Sequence, residues 1–304
     1  FIDELPPRGE WGEIPNFKCF GYYGGMPKLN LKNPEVEKYI TDVACYWIKE
    51  CDIDGWRLDV GDEISHFFWK NFRKAVKAVK KDMLIIGEIW HYAGDFLEGD
   101  EWDTVMNYPF YLNLIDLLAD EKITVSQFVQ NLGYLKGRLN KNCYPLMWNL
   151  IDSHDTARFL HLCNDNKKKQ HLAAAFQLLL PGMPMIYYGD EYAMPGANDP
   201  DCRRGMYWDK EYQDKEMYEW YKRLIQVRKS HACIVEGELA GSVTEDEEGT
   251  IVLIRKNGEE TIAMIFNCSS SAKKFNEYTQ KYNLLTENTF DGNVEGFDAA
   301  VIVL

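Results

Sequence analysis

Three acidic residues lie where predicted β-strands end: Asp59, Glu88 and Asp155. Glu88 follows Asp59 by 29 residues, about one strand–helix repeat, and Asp155 follows Glu88 by 67 residues, about two repeats. In a parallel α/β barrel, residues at the C-terminal ends of successive strands meet in one pocket. Carboxylates gathered in such a pocket are what the hydrolysis of a glycosidic bond requires.

Asp59 and Glu88 fit the two roles of a retaining glycosidase. Such an enzyme needs a nucleophilic carboxylate and a carboxylic acid about 5–5.5 Å apart, and neighbouring strands lie about 4.8 Å apart. Arg57 precedes Asp59 by two residues, so it points to the same side and should keep Asp59 ionised and oriented. The apolar neighbours Ile86 and Ile89 should raise the pKa of Glu88 and keep it protonated as the acid.

Asp155 and His154 are predicted to contact the sugar. Asp155 would bind sugar hydroxyls and help distort the ring, and His154 would donate to a hydroxyl or to developing negative charge. Each residue also has a structural interpretation: an acid after a strand is often a helix N-cap, His154 alone would be a structural histidine, and Trp90 alone would be a core residue. Three acids at repeat-matched strand ends favour catalysis over capping.

The elements that must position these residues alternate between strand and helix. Asn33 and Pro34 predict a helix start, as N-cap and first helical residue. Apolar spacing then predicts alternating elements. The strands are predicted over 53–60, 83–90, 104–109, 146–152 and 183–189. Helices are predicted over 34–51, 64–79, 116–139 with a break near Gly133, 166–180 and 214–230.

The pattern changes near residue 232 and becomes β only. The segments 250–256 and 260–267 alternate in polarity, and Asn257-Gly258 between them predicts a hairpin turn. We therefore predict an α/β barrel domain over residues 1–231, of the TIM (β/α)8 type, and a C-terminal antiparallel β-sandwich domain over residues 232–304.

The barrel predicted from these strands is incomplete. A full barrel has eight strands, whereas the sequence before residue 232 contains five, after a Gly- and Pro-rich loop over 1–34. An open arc of five strands would leave unpaired edges and an exposed apolar face. We therefore expect the first three strands to precede Phe1, either lost by truncation or cleavage or supplied by a separate fragment.

Composition excludes several classes of function. The formal net charge of −14 argues against nucleic acid as a partner. The sequence contains no stretch of 18 apolar residues, so no membrane span is predicted. The 8 Cys residues include no Cys-x-x-Cys pair, which favours reduced thiols in a cytoplasmic protein over a zinc or redox site. Aromatic residues make up 14% of the chain and either fill the core or line a sugar site.

Several strings together resemble the α-amylase family of glycoside hydrolases, and within it the neopullulanase, cyclomaltodextrinase and maltogenic amylase group. The segment 55–63 resembles the nucleophile strand, 87–90 the acid/base strand and 153–156 the segment with the transition-state stabiliser. The string Met-Pro-Lys-Leu-Asn over 26–30 is similar to a signature of the neopullulanase group, and 182–191 to the last barrel strand. The likeness runs from about residue 16 to the C-terminus.

The resemblance implies a retaining hydrolase of α-1,4-glucosidic bonds in cyclodextrins, maltooligosaccharides, pullulan or starch, with α-1,6 cleavage left open. It makes Asp59 the nucleophile, Glu88 the acid/base and Asp155 the stabiliser. Arg57, His154 and Trp90 then bind substrate, and Asp199 and Arg203 hold the sugar on the non-reducing side of the cut. Glu63 would face the leaving-group sugar; the alternative is an acid that stabilises a helix N-terminus.

The sequence also departs from the family pattern. No Asp-x-x-x-Asn-His string occurs upstream of Asp59, and the N-terminal β domain through which the group forms homodimers is absent. We therefore expect the isolated fragment to be inactive. No cofactor is predicted, and calcium in the parent protein is left open. Glucanotransfer and a non-catalytic carbohydrate-binding role remain the alternative functions.

Overall fold

The computed structural model describes residues 17–304, so the first part of the predicted loop over 1–34 lies outside the described residues. The chain forms two compact units. The first comprises residues 17–89 and 93–105, and the second comprises residues 90–92 and 106–304. Along residues 17–304, no helix has both the length and the apolarity that a membrane crossing requires.

The first unit begins with helix α1, Pro34–Cys51. Its predicted start is confirmed: the Asn33 side chain accepts a hydrogen bond from the backbone N–H of Glu35, with Pro34 as the first helical residue. The helix ends at Asp52, whose φ of 50° places it in the left-handed region. Helix α2, His66–Val79, is capped by Ser65 and buries an aromatic face.

Three short parallel strands form the sheet of the first unit: β1 (Gly55–Leu58), β2 (Leu84–Gly87) and β3 (Thr104–Val105), in that order. Leu58 pairs with Gly87 at the C-terminal ends of β1 and β2. The strands are shorter than predicted because the chain turns sharply after these residues; Val60 has a φ of 44°. Apolar composition locates a buried strand but does not show where its hydrogen-bond ladder stops.

In the second unit, the predicted helix over 116–139 is divided differently. Helix α3 (Tyr108–Leu114) continues into a π-helical turn, Ile115–Ala119, and helix α4 spans Val125–Arg138. The break falls at residues 120–124, so the predicted break near Gly133 is wrong. Thr124 and Gln127 form a reciprocal capping box that starts α4. Gly133 lies inside α4, where a glycine costs about 1 kcal/mol but does not end a helix.

The second unit also contains two paired parallel strands, β4 (Trp148–Leu150) and β5 (Met183–Met185). Between and after them lie helices α5 (Phe159–Leu162), α6 (Lys167–Leu179) and α7 (Lys215–Ser230). Helix α6 is buried on nearly every side from Leu172 to Leu179. Its Phe176 ring stacks on Phe266 at a centroid distance of 4.3 Å, so α6 packs between the parallel strands and the C-terminal sheet.

The C-terminal part begins with a short helix, α8 (Cys233–Glu236), so the β-only pattern does not start at residue 232. Six strands then form one antiparallel sheet: β6 (Glu238–Glu245), β7 (Thr250–Asn257), β8 (Glu260–Asn267), β10 (Tyr282–Asn283), β11 (Asn288–Thr289) and β13 (Asp298–Val303). Strands β9 (Lys273–Lys274) and β12 (Asn293–Val294) pair separately. The predicted hairpin turn is confirmed, with Gly258 at a φ of 60°. The domain boundary at 231/232 stays a prediction.

Candidate active site

Asp59 and Glu88 each follow the last residue of a strand in the first unit. Because Leu58 and Gly87 are paired across β1 and β2, the two acids leave neighbouring strand ends in register. The backbone N–H of Glu88 donates to Leu58 O at 2.9 Å, which extends the ladder by one bond. The parallel register alone therefore brings the two predicted catalytic acids to the same edge of the sheet.

Arg57 connects these two carboxyl groups. Its Nη1 contacts Asp59 Oδ1, and its Nη2 lies 2.8 Å from Glu88 Oε1. Only 5% of the Glu88 side chain is exposed, whereas 75% of the Asp59 side chain is exposed. One planar guanidinium thus holds both acids at a fixed separation and leaves Asp59 open to a ligand. Glu88 is therefore an ion-pair partner of Arg57. The sequence had suggested that only apolar side chains surround it.

The backbone after β1 also holds Glu88. The N–H of Val60 donates to Glu88 Oε2 at 2.9 Å, and the N–H of Gly61 donates to Glu88 O at 3.1 Å. Val60 adopts a left-handed conformation with a φ of 44°, which is unfavourable for a β-branched residue. This left-handed conformation turns the Val60 N–H toward the Glu88 side chain and so orients it.

Close packing behind the site requires glycine at position 87. A Cβ atom there would lie 2.2 Å from the Trp102 ring, which is itself 1% exposed. The missing side chain lets the indole contact the end of β2 directly. Glu88 therefore follows a strand end that packs tightly against a buried aromatic ring.

Glu63, predicted to face a sugar, is held by the segment that precedes α1. Its Oε1 accepts from the Gly21 N–H at 2.9 Å, and Lys28 Nζ lies 2.6 Å from its Oε2. Lys28 also donates to Glu63 O at 3.0 Å. Lys28 belongs to the Met-Pro-Lys-Leu-Asn string, so the ion pair fixes this signature segment to the loop after Asp59.

In the second unit, four predicted site residues form one cluster. His154 Nε2 lies 3.2 Å from Asp155 Oδ2. Arg203 pairs with Asp155 at 3.3 Å and with Asp199 at 2.8 Å, and its Nε donates to His154 O at 2.8 Å. Arg203 thus connects the loop after β4 to the loop after β5. Polar groups of alternating sign at this density suit the recognition of sugar hydroxyls.

Trp90 is connected to the same loop through Tyr108. The two rings stack with centroids 4.0 Å apart and planes 12° apart. The Tyr108 hydroxyl and Ser153 Oγ form a 3.1 Å hydrogen bond, and Ser153 Oγ accepts from the Asp155 N–H at 3.1 Å. Trp90 is therefore not a core residue, since 41% of it is exposed, and its position depends on a buried tyrosine.

Two buried acids, Asp152 and Asp190, lie next to the loop that contains His154 and Asp155. Asp152, Arg158 and Asp190 are each 0% exposed. Asp152 Oδ1 accepts from the Phe159 N–H at 2.5 Å, and Arg158 Nη1 lies 3.2 Å from Asp190 Oδ1. Burial raises the pKa of Asp190 to about 7, against the opposing effects of Asp152 and Arg158. Burial, and then the Asp190 charge, raise the pKa of Asp152 well above its ordinary value.

The two acids leave buried oxygen atoms that a proton on one of them would satisfy. Drawn as carboxylates, Asp152 and Asp190 each keep an Oδ2 without a donor among residues 17–304. Burial raises the pKa of both acids, which favours a neutral acid at one of the two positions. One neutral acid, one carboxylate and the Arg158 cation then leave the buried cluster without net charge.

The structure thus brings the predicted residues together in two groups. Arg57, Asp59 and Glu88 meet in the first unit, and His154, Asp155, Asp199 and Arg203 meet in the second; the meeting of Asp155 with Asp59 and Glu88 stays a prediction. Among residues 17–304, no three or more His, Cys, Asp or Glu side chains are arranged to hold a metal ion.

Sequence reasoning missed the residues that support the site. Tyr108 and the acid pair Asp152–Asp190 carry no local signal of their own, because each acts through a partner far along the chain. Lys28 lies in the 26–30 string, but its pairing with Glu63 was not predicted. The position of Asp152 directly before the 153–155 segment was the one available indication.

Comparison with known proteins agrees with these features. The α-amylase catalytic domain model matches residues 13–237. A cyclomaltodextrinase of Geobacillus thermopakistaniensis strain MAS1 is 46% identical over 271 residues, covering 89% of this chain and 46% of the relative. An intracellular maltogenic amylase of Bacillus subtilis is 44% identical over 253 residues, covering 83% of this chain and 43% of the relative.

A solved cyclomaltodextrinase structure superposes with a TM-score of 0.90 at 34% identity, covering 99% of this chain and 54% of that one. The chain therefore spans about half the length of the curated relatives it matches. The fold is that of the α-amylase catalytic domain, a member of the TIM-barrel class, with an antiparallel sheet at its C-terminus. The matches in sequence and in structure show that this chain belongs to the α-amylase family.

Proposed function

We propose that this chain carries the catalytic acids of a retaining enzyme that hydrolyses α-1,4-glucosidic bonds in cyclodextrins and maltooligosaccharides, and in pullulan or starch. The observation that carries the proposal is the Arg57 guanidinium, which contacts the exposed Asp59 and the buried Glu88 at once. Family membership and the relatives named cyclomaltodextrinase and maltogenic amylase support the choice of substrate.

Asp59 is the nucleophile in this proposal. Its carboxylate oxygen forms a bond to the anomeric carbon while the glycosidic C–O bond breaks and Glu88 gives its proton to the leaving oxygen. In the second step Glu88 accepts a proton from water, the water oxygen bonds to the anomeric carbon, and Asp59 leaves as a carboxylate. The exposure of Asp59 and the anchoring of Glu88 support this division of roles.

Asp155, His154, Asp199 and Arg203 bind sugar hydroxyls in this scheme. The Arg203 contacts with Asp155 and Asp199 support a role in presenting both carboxylates to the ring hydroxyls. Glu63, fixed by Lys28, would contact the leaving-group sugar. Preorganised groups of this kind stabilise the transition state because they need no rearrangement during the reaction.

The test is an Asp59→Asn substitution in the complete enzyme that contains this chain, with maltotriose and β-cyclodextrin as substrates. We expect hydrolysis to fall by about 10⁴-fold or more, as for the loss of a covalent nucleophile. Asp54→Asn is the matched control, because Asp54 lies in the same unit and its side chain is 99% exposed. Wild-type rates in Asp59→Asn would refute the assignment, and a β-anomer as the first product by NMR would refute retention.

We also propose that the chain is part of a longer protein. Because the chain spans 46% of one relative and 43% of another, we propose that residues 1–304 are the later portion of a longer barrel enzyme and have no turnover in isolation. A cytoplasmic location is also proposed, with support from the intracellular maltogenic amylase of Bacillus subtilis to which the chain is similar. The homodimer stays a prediction, and equilibrium sedimentation of the complete protein tests it.

A further inference from the structure

Two tyrosines hold the main chain on either side of Arg203. The Tyr188 hydroxyl donates to Arg204 O at 2.6 Å, and the Tyr187 hydroxyl donates to Cys202 O at 3.3 Å. Both tyrosines follow the end of β5 within the second unit. Their two hydroxyl groups therefore attach the carbonyl groups of both neighbours of Arg203 to the end of this strand.

Arg158 is a buried cation that lies against both tyrosine rings. Its guanidinium carbon lies 4.5 Å from the Tyr187 ring centroid and 5.1 Å from that of Tyr188. Arg158 is 0% exposed, and its Nε and Nη2 have no hydrogen-bond acceptor among residues 17–304. Because a cation away from water is attracted to aromatic faces, this contact fixes the positions of the two rings.

The loop over residues 196–204 is also ordered at its start. The Arg158 N–H donates to Gly196 O at 2.9 Å. The Ala197 N–H donates to Asp201 Oδ2 at 2.7 Å, which closes the first part of the loop on itself. The loop is thus held at its first residue by the main chain of Arg158 and near its last residues by the two tyrosine hydroxyls.

The placement of Arg203 depends on this loop more than on its own ion pairs. The Arg203 side chain pairs with Asp155 at 3.3 Å and with Asp199 at 2.8 Å, but 46% of it is exposed. Exposed ion pairs contribute little, because solvent screens them and two long side chains must be ordered. The main chain must therefore bring Arg203 to a position from which it reaches both carboxylates.

We propose that Tyr187 and Tyr188 are positioning residues for Arg203. The Arg158 cation holds their rings, and their hydroxyls hold the carbonyl groups on both sides of Arg203, so that its side chain meets both carboxylates at once. The consequence for sugar binding rests on the proposed function, whereas the placement of the loop does not. The sequence did not predict Arg158 or either tyrosine as a site residue.

The first test is a double-mutant cycle in the complete enzyme that contains this chain, with maltotriose as substrate. Tyr188→Phe keeps the ring and removes only the hydroxyl, so we expect KM to rise about three- to tenfold while kcat stays within about twofold. In an Arg203→Lys background the same change should alter KM less than about twofold, because its effect passes through Arg203. Tyr192→Phe is the matched control, since Tyr192 also follows β5 but its ring stacks on Tyr218.

The second test is amide hydrogen exchange followed by mass spectrometry, which requires no turnover. Tyr188→Phe should speed exchange in residues 196–204 by about threefold or more, and Tyr192→Phe should leave it unchanged. Unchanged exchange in Tyr188→Phe would overturn the placement of the loop. A KM effect of equal size in the Arg203→Lys background would overturn the route through Arg203, as would a fall in kcat with KM unaltered. If the complete enzyme does not hydrolyse maltotriose, the proposed function fails, and the exchange experiment alone decides the positioning role.

Discussion

The buried pair of Asp152 and Asp190 should make the protein less stable as the pH rises. Both residues are 0% exposed, so the charge of either is poorly solvated. The pKa of Asp190 is raised from 3.8 to about 7 in the folded protein. Between these two pH values the folded chain holds a proton that the unfolded chain has lost, so the free energy of unfolding falls with rising pH.

The magnitude follows from the size of the shift. A tenfold change in an acid's dissociation constant corresponds to about 1.4 kcal/mol. Raising the pKa of Asp190 from 3.8 to about 7 therefore lowers the free energy of unfolding by about 4 kcal/mol between pH 4 and pH 8. Because the pair is completely buried, solvent screens its charges little. The change in free energy belongs to the cluster as a whole, since Arg158, Asp152 and Glu191 all act on the Asp190 charge.

The perturbation is Asp190→Asn, which keeps the shape of the side chain and removes its titration. Urea unfolding followed by circular dichroism at pH 5, 6, 7 and 8 measures the slope of stability against pH. The variant should lose most of the decline that the unaltered protein shows. His171, whose pKa is lowered to about 4, and Asp298, whose pKa is raised to about 6, titrate in both proteins and cancel in the difference.

Asp54→Asn is the control for the change in charge, because its side chain is 99% exposed and should leave the slope unaltered. If the unaltered protein and Asp190→Asn show the same slope, the decline does not come from the ionisation of Asp190, and this explanation is refuted. A decline lost equally in Asp54→Asn would assign it to general surface charge.

Two further predictions concern the first unit, and a glycine in the second unit serves as the control for the first of them. Gly87→Ala should lower the free energy of unfolding by about 2–3 kcal/mol, because its Cβ would lie 2.2 Å from Trp102. Gly133→Ala, at an exposed position inside α4, should raise the free energy of unfolding by roughly 0.5–1 kcal/mol. Urea unfolding measures both changes. Arg57→Lys in the complete enzyme should lower kcat on maltotriose about 10- to 100-fold with little change in KM, because one ammonium cannot hold both carboxyls in fixed geometry.

Each of these predictions has a contrary outcome. Equal stabilities of Gly87→Ala and the unaltered protein would show that Trp102 moves freely behind the site. A normal kcat in Arg57→Lys would show that the Arg57 contacts with the two acids do not matter for turnover.

The local sequence determined the elements whose causes lie within a few residues. Asn33 and Pro34 started α1 as predicted, because a cap and its N–H partner are two residues apart. Asn257-Gly258 predicted the hairpin for the same reason. The predicted break near Gly133 was wrong because a glycine weakens a helix only slightly, whereas the capping box at Thr124 starts a new helix.

The candidate acids could be identified from the sequence alone, since strand ends and repeat lengths can be recognised from apolar runs and their spacing. How those acids are held depends on tertiary contacts. The bridge from Arg57 to Glu88, the Lys28–Glu63 pair and the coupled acids Asp152 and Asp190 join positions 31, 35 and 38 residues apart. Such contacts depend on where strands end and how side chains are buried, and burial is a property of the folded chain that no local pattern specifies.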